Sequence, residues 1–378
     1  MQIFHSLVFC LIGVLIGQIE PPDGLRENSP RVWAITHAKV HIEPGFVLED
    51  AAIVIRDGLI EKVGREIRIP KDATILDMSG KTIYPGFIDS WVEISAQSEK
   101  TQPHDAHWNH KVYARREMYS QYHPDKNKLE SLHKMGFTAA HIVPDSGIFQ
   151  GQTALVQLNN DGTELKSAVA QDIAYEVDGW GSDEYPNSLL GVVALLRQTF
   201  MDAAWFREAR EKTIQFPQFN EPLKNNRDLD ILSQWRQDSK PFIFETNHEL
   251  TVLRSFTLAN EFGLNGWIKG SGYEYRRVSE IAKVSPFIIL PLDFPVTPDL
   301  SDPYQALSYS TSELKHWDMA PDNPTVLIDH GISIAFTTHG LKGEEFRKNL
   351  SRSVERGLSE RDALASITTI PAEKMGTS

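Results

Sequence analysis

The chain has 378 residues and carries 38 Lys+Arg against 51 Asp+Glu, a formal net charge of −13. With 41% apolar and 24% charged residues it is neither disordered nor collagen-like, and it is long enough for one large barrel domain or two smaller ones. Phosphate binding rests on clustered Lys and Arg, and no basic stripe interleaved with aromatics occurs, so no nucleic-acid partner is expected.

Cys10 is the only cysteine, so an intrachain disulfide and a Cys-based zinc site are both excluded. Residues 7–16 (LVFCLIGVLI) form an apolar run of signal-peptide length, too short for the ~20 residues that span a bilayer. Residues 1–19 are therefore predicted to be a signal peptide cleaved near Gly17, although His5 and the amino terminus are its only positive charges. The competing reading is a buried N-terminal strand or helix. Cys10 sits inside the run rather than after it, which argues against lipidation. Export to a periplasm or to the outside follows, with no stable membrane anchor after cleavage. Residues 20–31, containing PPDGLRENSPR, read as a polar, Pro-rich linker.

From residue 32 to 76, β-rich runs alternate with turn residues: VWAITHAKVHI, AAIVIRDGLIEKVG and the start of ATILDMSGKTIY. Asp57-Gly58, between Arg56 and Leu59, supplies the positive φ of a tight hairpin turn. A small antiparallel sheet is predicted, too small to stand alone. Beyond Tyr84 the pattern changes to short strands separated by helical segments. The predicted strands are YPGFIDSWVEI, FTAAHIVPD, TALVQL, PFIFETN, GWIKG, PFIILPL and SIAFTTH. The helical stretches are 249–262 with Gly263 as C-cap, 273–283, and 359–368 with Ser359 as N-cap. Strands alternating with helices over roughly 250 residues fit a parallel (β/α) barrel; an open doubly wound sheet lacks its G-x-G-x-x-G.

The two halves meet at Gly80-Lys81-Thr82-Ile83-Tyr84-Pro85-Gly86-Phe87-Ile88-Asp89. With IVIRDGLIEKVG and ILDMSG before it, this junction resembles the amidohydrolase superfamily. ELTVLRSFTLANEFGL, VLIDHGISIAFTTHGL and GLSERDALASITTIPAEKMG extend the resemblance over roughly residues 32–376. It implies a distorted TIM barrel (84–378) preceded by a small, partial β-sandwich (32–83). HWNHKV, GIFQGQTALVQL and PFIFETN resemble, more narrowly, the N-terminal half of long bacterial proteins that carry two such domains in tandem, where the second half keeps the metal motif.

The resemblance also implies one or two divalent metals, zinc or manganese, that activate water for hydrolysis of carbon–nitrogen bonds. Their ligands would be a His-x-His ending strand 1, a lysine on strand 4, a His each on strands 5 and 6, and an Asp on strand 8. The first pair falls on Trp91 and Glu93, and indole nitrogen is only a donor. Strand 5 offers Glu245, strand 6 falls near Gly270, and strand 4 has no convincing lysine. Strand 8 reads Thr338-His339-Gly340, a histidine in place of the aspartate. No cofactor is therefore expected at the usual positions. The alternative is one divalent metal in a rebuilt site of Glu93, Glu245 and His339, with Glu245 as base and His339 as proton shuttle.

His104, His107 and His110 share an i, i+3, i+6 spacing, but Pro103 and Asn109 favour a loop in which HWN is a packing and turn element. His141 and Asp145 read as ordinary structural groups with a lesser claim to line the mouth. The segment 147–158 lacks the Lys-Ser/Thr of a phosphate loop and reads as turn glycines before a strand. No Gly-x-Ser-x-Gly elbow occurs.

In the family a hairpin at this point completes the sandwich, so the expectation is either a fragment or shortened product of a longer protein, which is favoured, or a second amidohydrolase-like domain or chain covering the open edge. Three roles stand open: a degenerate scaffold, a hydrolase with a rebuilt site, and a ligand-binding protein for a small molecule, with Trp91 as an aromatic platform for a sugar or peptide.

Overall fold

The computed structural model describes residues 31–96, 103–177, 184–218, 221–284, 286–299, 301–302, 304 and 307–377. The predicted leader and all but the last residue of the linker lie outside the described residues. The chain divides into two units, one holding residues 47–84 with the strand before them, the other holding 85–377 with the turn at 43–46.

In the first unit β1 (Val32–Glu43), β2 (Phe46–Arg56), β3 (Leu59–Gly64) and β4 (Thr74–Asp77) form a sheet of order β3-β2-β1-β4, and β5 (Thr82–Ile83) also pairs with β1. Alternate burial along β1 sends Ala34, Thr36, Ala38 and Val40 to one face. The predicted hairpin is present: Asp57 (φ 50°) and Gly58 (φ 81°) both adopt the left-handed backbone of a type I′ turn. The purely antiparallel prediction needs correction. β2 and β3 are antiparallel, but β4 and β5 run parallel to β1, because the 65–73 connection returns the chain to the strand's start.

The second unit alternates strands and helices. In chain order these are β6 (Phe87–Ile94), α1 (Lys126–Met135), β7 (Phe137–Pro144), β8 (Phe149–Gln152), β9 (Ala154–Gln157), β10 (Glu164–Lys166) and β11 (Gln171–Ile173). Then follow α2 (Leu189–Gln215), α3 (Arg227–Gln237), β12 (Pro241–Glu245), α4 (Glu249–Phe262), β13 (Asn265–Lys269), α5 (Val278–Ala282) and β14 (Phe287–Pro291). The unit ends with α6 (Thr311–Met319), α7 (Asn323–Asp329), β15 (Ser333–Thr337), α8 (Glu345–Glu355), α9 (Glu360–Ala365) and α10 (Thr369–Met375).

One sheet has the order β10-β9-β7-β6 and the other β15-β14-β13-β12-β11-β8. From β11 to β15 each strand runs parallel to the next, and β6 runs parallel to β7. Two predictions are corrected here. TALVQL is not a further parallel strand, because β9 folds back antiparallel on β7. The stretch 147–158 is not turn glycines alone: Phe149–Gln152 is a strand, antiparallel to β11.

Side-chain alternation splits the core. Trp91, Val143, Leu155, Ile243, Trp267, Phe287, Ile289 and Ala335 pack together on one face of the strands. Phe242, Phe244, Ile268, Ile288, Ile334 and Phe336 point the other way, against helix residues such as Leu195, Phe200 and Val252. Burial on both faces is why these strands read as unbroken apolar runs. Where β15 meets β6, Thr337 Oγ1 donates to the Trp91 carbonyl (2.8 Å) and Thr338 Oγ1 to the Asp89 carboxylate (2.5 Å). The caps predicted for α4 and α9 are observed: Gly263 is left-handed, and the Ser359 side chain accepts from the Asp362 amide.

Candidate functional site

The carboxyl ends of β6, β12, β13 and β15 bring charged side chains above the apolar cluster of Trp91, Ile243 and Trp267. Past the register shift that β6 makes between Asp89 and Val92, Trp91 and Glu93 share one face. Trp91 is 1% exposed, so the predicted aromatic platform is corrected: its ring is core, and its indole N–H donates to Glu93 Oε1 (3.1 Å). Glu93 Oε1 also lies 3.4 Å from His339 Nδ1, which joins two of the three rebuilt-site candidates. The third, Glu245, accepts a hydrogen bond from Gln150 Nε2 (2.7 Å). Lys269 stands opposite Glu245 in the β12–β13 register. On β11, Asp172 pairs with Ile243, two residues before Glu245, and is 0% exposed with no side-chain donor on its carboxyl among the described residues.

Burial raises the Glu245 carboxyl to about 7; the charges of Glu93 and Glu176 add to this, while Lys269 and the Gln150 bond oppose it. Burial and then the Glu245 charge push Asp172 well above the carboxylate range. The His339 imidazole is lowered by burial and by Lys269, with Glu93 acting against both. A carboxyl that exchanges its proton near neutral pH, within the field of a histidine–glutamate pair, is competent for proton transfer.

These side chains do not fit a divalent metal at the positions that the sequence reading named. Trp91 offers a donor where a ligand is required. Gly270 supplies no side-chain ligand, and a Cβ there would be tight, 3.0 Å from both Glu274 Oε1 and Ile288 Cγ2. Lys269 puts an ammonium beside the acids. Among the described residues no group of three or more His, Cys, Asp and Glu is placed to hold a metal ion.

The remaining candidates are held by separate partners. His107 is buried: its amide donates to Asp228 (2.9 Å) and its Nδ1 accepts from the Asn109 amide (3.1 Å). His110 pairs with Glu184, and His104 is exposed. Trp108 stacks on Tyr185, so HWN packs and turns the chain. His141 is buried between the Ser90 carbonyl (3.0 Å) and Thr153 Oγ1 (2.7 Å), and burial lowers its pKa to about 4. Asp145 accepts from the Ala96 amide. Sequence reasoning missed Asp172, Gln150 and Lys269. Only Lys269 carried a signal, as the lone charge in the apolar run GWIKG.

No protein-family model matches the chain, and a search of the curated proteins found no match. Solved structures do match. An amidohydrolase from Thermotoga maritima MSB8 superposes with a TM-score of 0.71 at 19% identity, over 91% of this chain and 88% of that one. Another amidohydrolase gives a TM-score of 0.51 at 16% identity, over 92% and 88% of the two chains.

Proposed function

Since the chain has the fold of the amidohydrolase superfamily, we propose that it is a catalytically degenerate protein of that fold, working as a ligand-binding or scaffold domain. Its strands form a distorted (β/α) barrel closed across the β6–β15 flank, and residues 32–83 are a partial β-sandwich. Export to the periplasm or beyond, and a second homologous domain or chain on the sandwich edge, belong to the same proposal. All four residues of β4 are exposed, which supports a partner at that edge.

The observation that carries this reading is the replacement at the mouth: Trp91, Glu93, Gly270 and His339 stand where a His-x-His, a His and an Asp are expected. After incubation with zinc or manganese and removal of free ion, the purified protein should retain less than about a tenth of an equivalent of metal. A full equivalent that is lost in Glu93→Ala would end the proposal. One observation favours the second reading, a hydrolase of carbon–nitrogen bonds: the Glu245 carboxyl, at about 7, is poised to take a proton that His339 could pass on. On that reading Glu245→Gln abolishes turnover without unfolding the protein.

A further inference from the structure

Below the rim, buried acceptors outnumber donors. Asp172 is 0% exposed and its carboxyl meets no side-chain donor among the described residues, the Ile173 amide being the donor that bears on it. Gln150 is 3% exposed; it spends its amide N–H on Glu245, and its Oε1 is buried without a partner. These atoms belong together. Gln150 is tied to Glu245, and Asp172 sits on the same face of the neighbouring strand, close enough for the two carboxyls to repel. Lys269 lies in the field of both acids yet forms no ion pair with either among the described residues. Above them, the side chains of Glu93 (38% exposed) and His339 (31% exposed) are reached by solvent.

Oxygen acceptors are satisfied only by donors, and a cationic donor is favoured by carboxyls whose ionised form, otherwise opposed by burial, it would stabilise. An ammonium group carries three N–H donors, which matches the Asp172 carboxylate, the Gln150 carbonyl and the Glu245 carboxylate one for one. Among the described residues no three of His, Cys, Asp and Glu are placed to hold a metal ion, so a divalent metal matches the set less well. We propose that the mouth binds the protonated primary amine of a small ligand, its three N–H groups directed at Asp172, Gln150 and Glu245. The proposal rests on the ligand-binding reading above and names the class of ligand. Lys269 is then the internal competitor, near enough to weaken an incoming cation without replacing it.

The test is thermal unfolding and titration calorimetry of the full chain with n-propylammonium chloride. Propanol serves as neutral isostere, sodium propionate as anion, and manganese chloride as metal, all at matched ionic strength. Propylammonium should raise the unfolding midpoint by about 2–4 °C at concentrations where the other three have no effect. Asp172→Asn should weaken propylammonium binding at least ~10-fold, and Lys269→Met should strengthen it several-fold. Should Asp172→Asn fail to fold, Gln150→Leu and Lys269→Met still decide the matter, because they must move affinity in opposite directions. Equal effects of propylammonium and propanol, or unchanged binding in both Gln150→Leu and Lys269→Met, would overturn the proposal. Binding of propionate alone, abolished by Lys269→Met, would overturn the amine and leave the ligand-binding reading standing. One equivalent of manganese with turnover would overturn both.

Discussion

Two aspartates of the second unit are both 0% exposed, and the protein treats them in opposite ways. Asp228, at the start of α3, accepts from Arg115 Nη1 (2.5 Å), the Arg115 amide (3.0 Å) and the His107 amide (2.9 Å). It fastens the long connection after β6 to a helix. Asp172, on β11, meets no side-chain donor among the described residues and has only the Ile173 amide bearing on it. A buried carboxylate surrounded by donors holds a fold together; one without donors destabilises it and is tolerated where a ligand can supply them.

The largest test of this contrast is Asp228→Ala. It strands Arg115 and two amides in the interior and should cost about 3–5 kcal/mol by urea unfolding. A loss below ~1 kcal/mol would mean that the loop is not held there. Asp172→Asn should stay within about 1 kcal/mol of wild type, because burial already disfavours the charge that it removes. If it instead destabilises as strongly as the Asp228 variant, the contrast is broken.

Glu245→Gln sharpens the comparison through pH. The folded-state pKa of Glu245 is raised to about 7, so below about 4.5 the folded and unfolded chains are both protonated. Between about 4.5 and 7 the folded chain holds the extra proton, so the residue's contribution to stability falls as pH rises. His141 works oppositely in an overlapping window. Its pKa is lowered to about 4, so its contribution is lost as pH falls from about 6.5 toward that value. The wild-type curve therefore mixes both slopes. The difference between Glu245→Gln and wild type isolates the first, and should grow in the variant's favour by on the order of 2 kcal/mol from pH 4.5 to 7. A flat difference would place Glu245 in water. The smallest effect belongs to the exposed Arg197–Glu261 pair (2.8 Å): Arg197→Ala should change stability by no more than ~0.5 kcal/mol. This control separates ion pairing as such from pairing in the interior.

Much of the frame was legible because burial leaves marks at a fixed period. The predicted runs YPGFIDSWVEI, PFIFETN and PFIILPL each contain the strand that forms, β6, β12 and β14, with ends that differ by up to three residues. Capping chemistry located the ends of α4 and α9 for the same local reason. The short strands escaped. Gln171–Ile173 and Phe149–Gln152 hold three and four residues, too few to show alternation, and their Gln, Asp and Gly suggest a loop. Asp172 and Gln150 were lost with them, since only pairing to distant strands brings them beside Glu245. The 27-residue α2 also went unpredicted: Leu190, Met201 and Trp205 remain exposed on it and blur the apolar stripe. Trp91 was placed at the right rung but given the wrong setting, because sequence alone does not show how tightly its neighbours close around the ring.

The flank between β6 and β15 is fastened by the side chains of Asp89, Thr337 and Thr338 rather than by a backbone ladder among the described residues. A clasp made of three side chains opens when a few bonds break, whereas a ladder must unzip along its length. Amide protons at Thr338 and Trp91 should therefore exchange with deuterated water sooner than those of Ile268 and Ile289 in mid-sheet. Loosening of the second unit would then begin along that flank and leave the mid-sheet strands paired.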